Sequence, residues 1–316
     1  MPAPSSAVSS SARSSARAAH SRSSPLLLSV QRLVARRRSP SAAQAMGGTA
    51  DVLPPDHDSV SARLADSQCD TSVAIFKQSW STYRKLLEVD FLEHRALYTA
   101  LRALLLASFG AHATPLAMLD LGCGDAMQIA ASLRQCGAPG GELRLACYTG
   151  VDMSAPALEL AAGYLSFLKP ECDVQLVEQD MKEFVAASPS RSYDLAFASF
   201  AVHHLSLDGK IEFAAQVARC LKPGGMFVLV DIFLKEGEDR VQYMKRYRTN
   251  IDEAVTRGII EAGEAETVMA HINEFDFPES LLEFDGLAKG AGFESADCLL
   301  TDSKEFGRLV VLRKPR

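Results

Sequence analysis

The sequence predicts an α/β domain on a doubly wound, mostly parallel seven-stranded sheet, with leading helices and a helical cap inserted near its end. Three observations carry this expectation. An apolar run at 115–121 stops abruptly in the turn Gly122-Cys123-Gly124; helical and strand-like patterns alternate regularly after it; and acids recur where the strands should end.

The run 115–121 is apolar on both faces, as in a strand covered on both sides of a sheet. Gly122 and Gly124 have no Cβ, so the backbone can turn tightly and touch a ligand, while a helix starting near Asp125 aims free N–H groups at it. A dinucleotide-binding turn would carry a third glycine where this chain has Met127, and a pyrophosphate would be repelled by Asp125. An amine or a sulfonium would not, so the turn suits a zwitterionic or cationic ligand tail.

The first helix after the turn runs to about Cys136, and a Gly/Pro loop at 137–141 leads to a strand at 145–151. A helix at 154–168 follows, with Leu158, Ala161, Ala162, Leu165 and Leu168 as its buried stripe, then a strand at 174–177. The next cycle is a strand at 193–197 and a helix at 211–221, stopped by Lys222-Pro223-Gly224-Gly225 before a strand at 226–230. A helix at 281–291 and strands near 296–301 and 307–313 end the chain, with Asp297 and Asp302 expected at exposed strand ends. Ahead of the sheet, Ile75, Leu86, Leu87, Phe91, Leu97, Leu101, Leu104 and Leu105 mark two helices. Trp80 and Tyr83 on the first are lid candidates, or core residues at ordinary helical spacing.

Composition bounds the function. The 316 residues are 47% hydrophobic, enough for one substantial core, and no apolar run reaches membrane-span length. The seven cysteines lack any C-x-x-C pairing, which favours reduced thiols. Residues 1–45 hold seven arginines, thirteen serines and no acid, the composition of an organelle transit peptide for a chloroplast or mitochondrion; a disordered tail on a cytoplasmic protein is the alternative. Residues 46–72 read as a linker and 73–316 as the functional domain. Without the seven leader arginines the formal charge falls from −6 to −13, which argues against a nucleic-acid partner held by phosphate contacts. The expected partner is a small molecule, and oligomeric state is left open.

Ligands of parallel sheets bind beyond the carboxyl ends of the strands. Asp120, Asp152, Asp180 and Asp231 fall there. A carboxylate at Asp152, after the second strand, suits both hydroxyls of a ribose; Asp180 suits an exocyclic adenine amine, with Met153 and Met181 as apolar walls. Their bland readings are a helix cap and a loop carboxylate.

Together these residues resemble the class I S-adenosylmethionine-dependent methyltransferases of small-molecule type. The resemblance covers about 73–314 and rests on LDLGCGDA at 119–126, GVDMS at 150–154, EQDM at 178–181, YDLAFASFAVHHL at 193–205 and LKPGGMFVLVD at 221–231. It implies a Rossmann-like sheet and S-adenosylmethionine as cofactor. Asp120, Gly122 and Gly124 would then hold the methionine portion, Asp152 the ribose, Asp180 and Met181 the adenine, with Ser199 and Phe200 lining the cofactor after the fourth strand; Cys123 and Met153 complete the expected cofactor-binding residues. Ala126 stands where a third glycine is frequent, and the interval from Asp120 to Asp152 is long.

The chemistry so implied is in-line displacement of a methyl group already activated by positive sulfur. Positioning supplies about 7–11 kcal/mol in such reactions. His203 and His204 are the candidate proton acceptors, with backbone hydrogen bonding as the alternative; a metal site there is set aside because no further ligand group lies near them in sequence. Residues 233–278 read as the helical cap, where Tyr243, Arg246, Tyr247, Arg248 and His271 form a candidate polar and aromatic cover over the acceptor; Tyr243, Arg246 and Tyr247 are its expected acceptor-binding residues. Two other readings stand beside the enzyme: a catalytically silent subunit on the same fold, and a nicotinamide-dependent oxidoreductase.

Overall fold

The computed structural model describes residues 82, 85–91, 93–110 and 114–316. The leader at 1–45, the linker at 46–72, and Trp80 and Tyr83 lie outside the described residues.

Seven strands form one sheet in the order β3-β2-β1-β4-β5-β7-β6. They are β1 Leu116–Leu121, β2 Leu145–Asp152, β3 Asp173–Glu178, β4 Tyr193–Ser199, β5 Leu221–Ile232, β6 Ala296–Thr301 and β7 Gly307–Arg313. The first five run parallel, and β7 pairs antiparallel with both β5 and β6. The chain order reverses between β1 and β4, which opens a crevice beyond the carboxyl ends of those two strands.

Helices cover both faces, because alternate strand residues point opposite ways and both sets are apolar. On one face Met118, Leu195, Phe197, Val228 and Val311 pack with α1 His94–Phe109, α2 Met127–Gln135 and α3 Ala155–Tyr164. On the other, Leu119, Ala196, Ala198, Phe227, Leu229 and Val310 pack with α4 Met181–Ala187, α5 Leu207–Cys220 and α8 Leu281–Gly290. Between β5 and α8 lie α6 Arg240–Thr256 and α7 Ala262–Phe275, joined to Leu86, Phe91, Ile232 and Phe306 in a third apolar cluster.

Boundaries differ from the periodicity where polar residues begin or end an element. Helix α5 starts four residues before the expected 211, because Ser206 caps it through Oγ and its first turn, Leu207-Asp208-Gly209-Lys210, carries no apolar stripe. The expected helix at 154–168 is α3 followed by a short tighter turn, Ser166–Leu168. Asp302 corrects the expectation of an exposed strand end: it is 7% exposed, and its two oxygens accept the backbone N–H groups of Phe306 at 2.9 Å and Gly307 at 2.6 Å, which shapes the β6–β7 turn. Among the described residues, no helix is long and apolar enough to cross a membrane.

Candidate active site

The turn after β1 folds back over β2, where Val151 O accepts from the N–H groups of Gly122 at 2.8 Å and Cys123 at 3.0 Å. The two glycines have different reasons to be there. Gly122 has φ +69°, and a Cβ on it would lie 2.6 Å from the Ala201 Cβ, so packing against the β4 loop demands it. Gly124 has φ +53°, and a Cβ there would meet nothing within 4 Å. Its backbone faces open space that a ligand can fill.

Carboxylates brace this turn from below. Asp152, at the end of β2, accepts from Gly124 N through Oδ2 at 2.8 Å and from Ser154 N through Oδ1 at 2.9 Å. Burial raises its pKa, and those backbone donors oppose the rise. Asp120 is 1% exposed, accepts from the Tyr148 hydroxyl at 2.5 Å, and is pushed up to about 7 chiefly by burial. Burial also raises the Cys123 thiol well above its ordinary value, helped by the charges of Asp120 and Asp152. That thiol is held neutral.

Asp180 caps α4, its Oδ1 accepting from Lys182 N at 2.7 Å and Glu183 N at 3.2 Å. Next to it, the Met181 sulfur comes within 3.8 Å of the Cβ position at Gly122, so the β3 loop reaches the glycine turn. On the other side of the crevice, the Ser199 hydroxyl pairs with Tyr98 Oη at 2.7 Å. Phe200 follows with φ +49°, its ring centroid 4.6 Å from that of His94. A non-glycine residue held in the left-handed region beside a site is a strained conformation that surrounding packing must enforce.

A second polar group gathers beyond β4 and β5. After Phe200 a tight turn, Val202–His204, presents two backbone N–H groups to Asp231 Oδ2, at 2.9 Å from Val202 and 3.2 Å from His203. Asp231 Oδ1 lies 2.5 Å from His203 Nδ1. The other ring nitrogen, His203 Nε2, lies 3.6 Å from Asp276 Oδ1 at the end of α7. Burial disfavours charge on His203, but Asp231 and Asp276 outweigh it and raise its pKa. Burial pushes Asp276 up to about 6, against the pull of His203.

His204 behaves oppositely. Although 31% of its side chain is exposed, desolvation of the ring, with His203 and His271 beside it, holds its pKa well below the ordinary value. Its Nδ1 lies 3.1 Å from the Phe275 carbonyl and 3.5 Å from Asp276 Oδ1. His271 of α7 sits edge-on at 5.5 Å between ring centroids and is lowered to about 4, mainly by burial.

Comparison with known proteins agrees with this layout. A family model described as a methyltransferase domain matches residues 118–225, from β1 into β5. The carboxy-S-adenosyl-L-methionine synthases of Aeromonas hydrophila and Aeromonas salmonicida are each 24% identical over 196 residues, covering 62% of this chain and 74% of theirs. The solved Burkholderia thailandensis 1,6-didemethyltoxoflavin-N1-methyltransferase, with bound 1,6-didemethyltoxoflavin and S-adenosylhomocysteine, has a TM-score of 0.50 at 17% identity, covering 84% of this chain and 94% of that one. The chain carries a class I S-adenosylmethionine-dependent methyltransferase domain over the matched residues.

S-adenosylmethionine is accordingly the methyltransferase domain's cofactor. The turn fits it on two counts: the open cradle over Gly124, and the acids Asp120, Asp125 and Asp152 around it, which suit a sulfonium and an amine. Met153 adjoins Asp152 at the end of β2, so the ten residues expected around the cofactor lie at the carboxyl ends of β1, β2 and β4 and in the segments that follow β1 to β4. Sequence reading missed His94 and Tyr98, which α1 brings to Phe200 and Ser199. Their signal was a polar ring and a hydroxylated ring at i,i+4 on an otherwise apolar helix face.

The methyltransferase's cap residues sit differently from the expected cover. Tyr243 is 0% exposed and packs edge-on against Tyr247 and Phe306. Arg246 is tied to Glu238 by both Nε and Nη2, donates to the carbonyls of Lys304 and Glu305, and stacks over Phe306 at 3.8 Å. It clamps the β6–β7 turn. Arg248 pairs with Asp252 and Glu266 on the surface. A cleft of about 520 Å³ on this outer side is lined by Lys235, Gln242, Lys245, Arg246 and neighbours, with no residue of the glycine turn. Of the expected cover, His271 alone reaches the histidine pair, and Asp276, far away in sequence, supplies the further ligand-type group whose absence had set aside a metal there.

Proposed function

We propose that the enzyme methylates a small-molecule acceptor held between the glycine-turn crevice and the histidine pair after β4. The observation that carries this reading is the enclosed scale of the acceptor side: His203, Asp231 and Asp276 are all under 8% exposed, and the end of α7 closes over His204. A polymer would need an open track. The acidic body points the same way, as does the small heteroaromatic acceptor held by the Burkholderia enzyme on the same fold.

In this reading Asp120, Gly122, Cys123 and Gly124 surround the methionine portion of the cofactor, Asp152 and Met153 the ribose, Asp180 and Met181 the adenine, with Ser199 and Phe200 along its flank. The bound cofactor supplies a methyl group activated by positive sulfur for in-line transfer. The chain's own contribution is alignment and exclusion of water, with about 7–11 kcal/mol available from positioning. His203, caught between two carboxylates, is a positioning group. His204, neutral at physiological pH, is the member of the pair suited to hold an acceptor's proton.

Incubating the purified enzyme and S-adenosylmethionine with a metabolite extract tests the reading by mass spectrometry. A small molecule gaining the mass of one methylene, with S-adenosylhomocysteine formed, supports it; label appearing only on protein or nucleic acid refutes it. The same spectra would reveal a carboxylated cofactor, the product named for the two Aeromonas relatives. We further propose that residues 1–45 direct the chain to an organelle, which a fluorescent fusion of that segment tests: diffuse cytosolic signal would overturn it.

A further inference from the structure

The two carboxylates and three histidines beyond β4 and β5 hold more polar capacity than their own hydrogen bonds use. Asp276 is 3% exposed, and its Oδ1 has no hydrogen-bond partner; His271 Nδ1 and Tyr243 Oη are likewise buried without one. Tyr243 lies close enough to Asp276 and Asp231 for both charges to act on its hydroxyl. A buried carboxylate oxygen left without a partner is costly, at roughly 1–3 kcal/mol, unless a bound species meets it.

We infer that His203 Nε2, His204 Nδ1 and a carboxylate oxygen of Asp276 form a binding site for a divalent cation of the zinc class, with Asp231 orienting His203 from behind. The ligand-type atoms of these three residues all lie within 4.8 Å of one another. Asp276 Oδ1 is 3.6 Å from His203 Nε2 and 3.5 Å from His204 Nδ1. A tetrahedral zinc with bonds of about 2.0–2.1 Å spaces its ligands roughly 3.3 Å apart, so these separations need only a small contraction. An octahedral cation at similar bond lengths would bring neighbouring ligands to about 3.0 Å, a poorer match.

The surroundings are those of a metal ligand rather than a bare ion pair. His203 gives Nδ1 to Asp231 at 2.5 Å, the carboxylate–histidine arrangement that fixes a tautomer and turns the other nitrogen outward. Asp231 is itself held by the N–H groups of Val202 and His203. One carboxylate, Asp276, faces the position with Asp231 behind His203, and the Lys210 ammonium is taken up by Glu279. His204 is the exposed member, so the fourth position opens on its side, as in sites that keep a water or a substrate oxygen. Binding replaces the contact His204 Nδ1 now makes with the Phe275 carbonyl, and it requires His203 Nε2 and Asp276 to be free of protons. With the cation bound, His204 is a ligand rather than the proton acceptor proposed above, and the site is independent of the acceptor's identity.

The test uses the full chain, stripped with a chelator and titrated with zinc against a fluorescent competitor, and with cobalt(II) read by its visible absorption. One zinc per chain and an intense, tetrahedral-type cobalt spectrum are expected. Asp276→Asn should weaken zinc at least 100-fold, and Asp231→Asn about 10- to 100-fold. His204→Ala, at the exposed member, reports on the site without disturbing the core and should abolish the cobalt spectrum. Each variant is also titrated with S-adenosylmethionine, whose unchanged affinity shows an intact fold and separates failure of the metal site from failure of the cofactor site. No saturable zinc, or full zinc affinity in both Asp276→Asn and His204→Ala, would overturn the inference.

Discussion

The two ends of the crevice are built on opposite principles. At the ends of β1, β2 and β3, the carboxylates are satisfied by the protein itself: Asp152 by Gly124 and Ser154, Asp120 by Tyr148, and Asp180 by the first turn of α4. Beyond β4 and β5, Asp276 Oδ1, His271 Nδ1 and Tyr243 Oη are buried with no hydrogen-bond partner. The donor side is pre-assembled, so its geometry costs little to hold when the cofactor arrives. In the proposed reading the other end is the acceptor side, and its unmet polar capacity is available to a bound species. A transferase gains from this division, since binding energy spent on orienting the acceptor is realised where the reaction occurs.

The sharpest way to break the comparison is at the two glycines. Gly122→Ala forces a Cβ against Ala201 at a positive φ, and should cost about 2–4 kcal/mol, seen as a lower thermal midpoint. Gly124→Ala meets open space, so it should cost only about 1–2 kcal/mol of backbone strain while weakening S-adenosylmethionine binding by more than Gly122→Ala does per unit of stability lost. Equal effects of both on stability and affinity would erase the distinction between a packing glycine and a ligand glycine.

Arg246→Ala probes the cap. It loses Glu238 and the carbonyls of Lys304 and Glu305, and should destabilise by about 1–3 kcal/mol, with Arg246→Lys restoring little because one ammonium cannot replace the fork. The KM for the acceptor should stay nearly constant in both variants; a large rise would return Arg246 to the acceptor site.

The smallest effect concerns pH. Asp120 has its folded pKa raised from 3.8 to about 7, so the folded state binds the extra proton between those values. Stability from this group therefore falls as pH rises from about 4 to about 7, and is flat below. Asp120→Asn should remove that slope, giving melting curves less dependent on pH across this window. An unchanged slope would assign it elsewhere.

The glycine turn, the strand-end acids and the alternation of elements were legible in the sequence because each is a local pattern: two glycines after an apolar run, one carboxylate after each strand. The pairing of His203 with Asp231 was half visible, since both sit at strand ends. Asp276 was not, because it reaches the histidines only after the chain has passed through α6 and α7. Tyr247 misled for a related reason: an aromatic on an amphipathic helix looks the same whether it covers a substrate or a core, and here Phe306 from the β6–β7 turn makes it core, whereas Tyr243 packs its ring into that core with its hydroxyl near Asp276. His94 and Tyr98 were hidden in a helix whose apolar stripe already accounted for it.

The central claim is that Asp152 and the turn it braces form the donor site. Isothermal titration of S-adenosylmethionine into the wild-type chain and Asp152→Ala tests it most directly. Removing a carboxylate that holds Gly124 N and, in the proposed reading, the ribose hydroxyls should lower affinity at least 100-fold, at roughly 1.5–3 kcal/mol per charged hydrogen bond lost. Saturable binding in the wild type with that loss in the variant is the expected result; unaltered affinity in a folded Asp152→Ala would contradict the assignment.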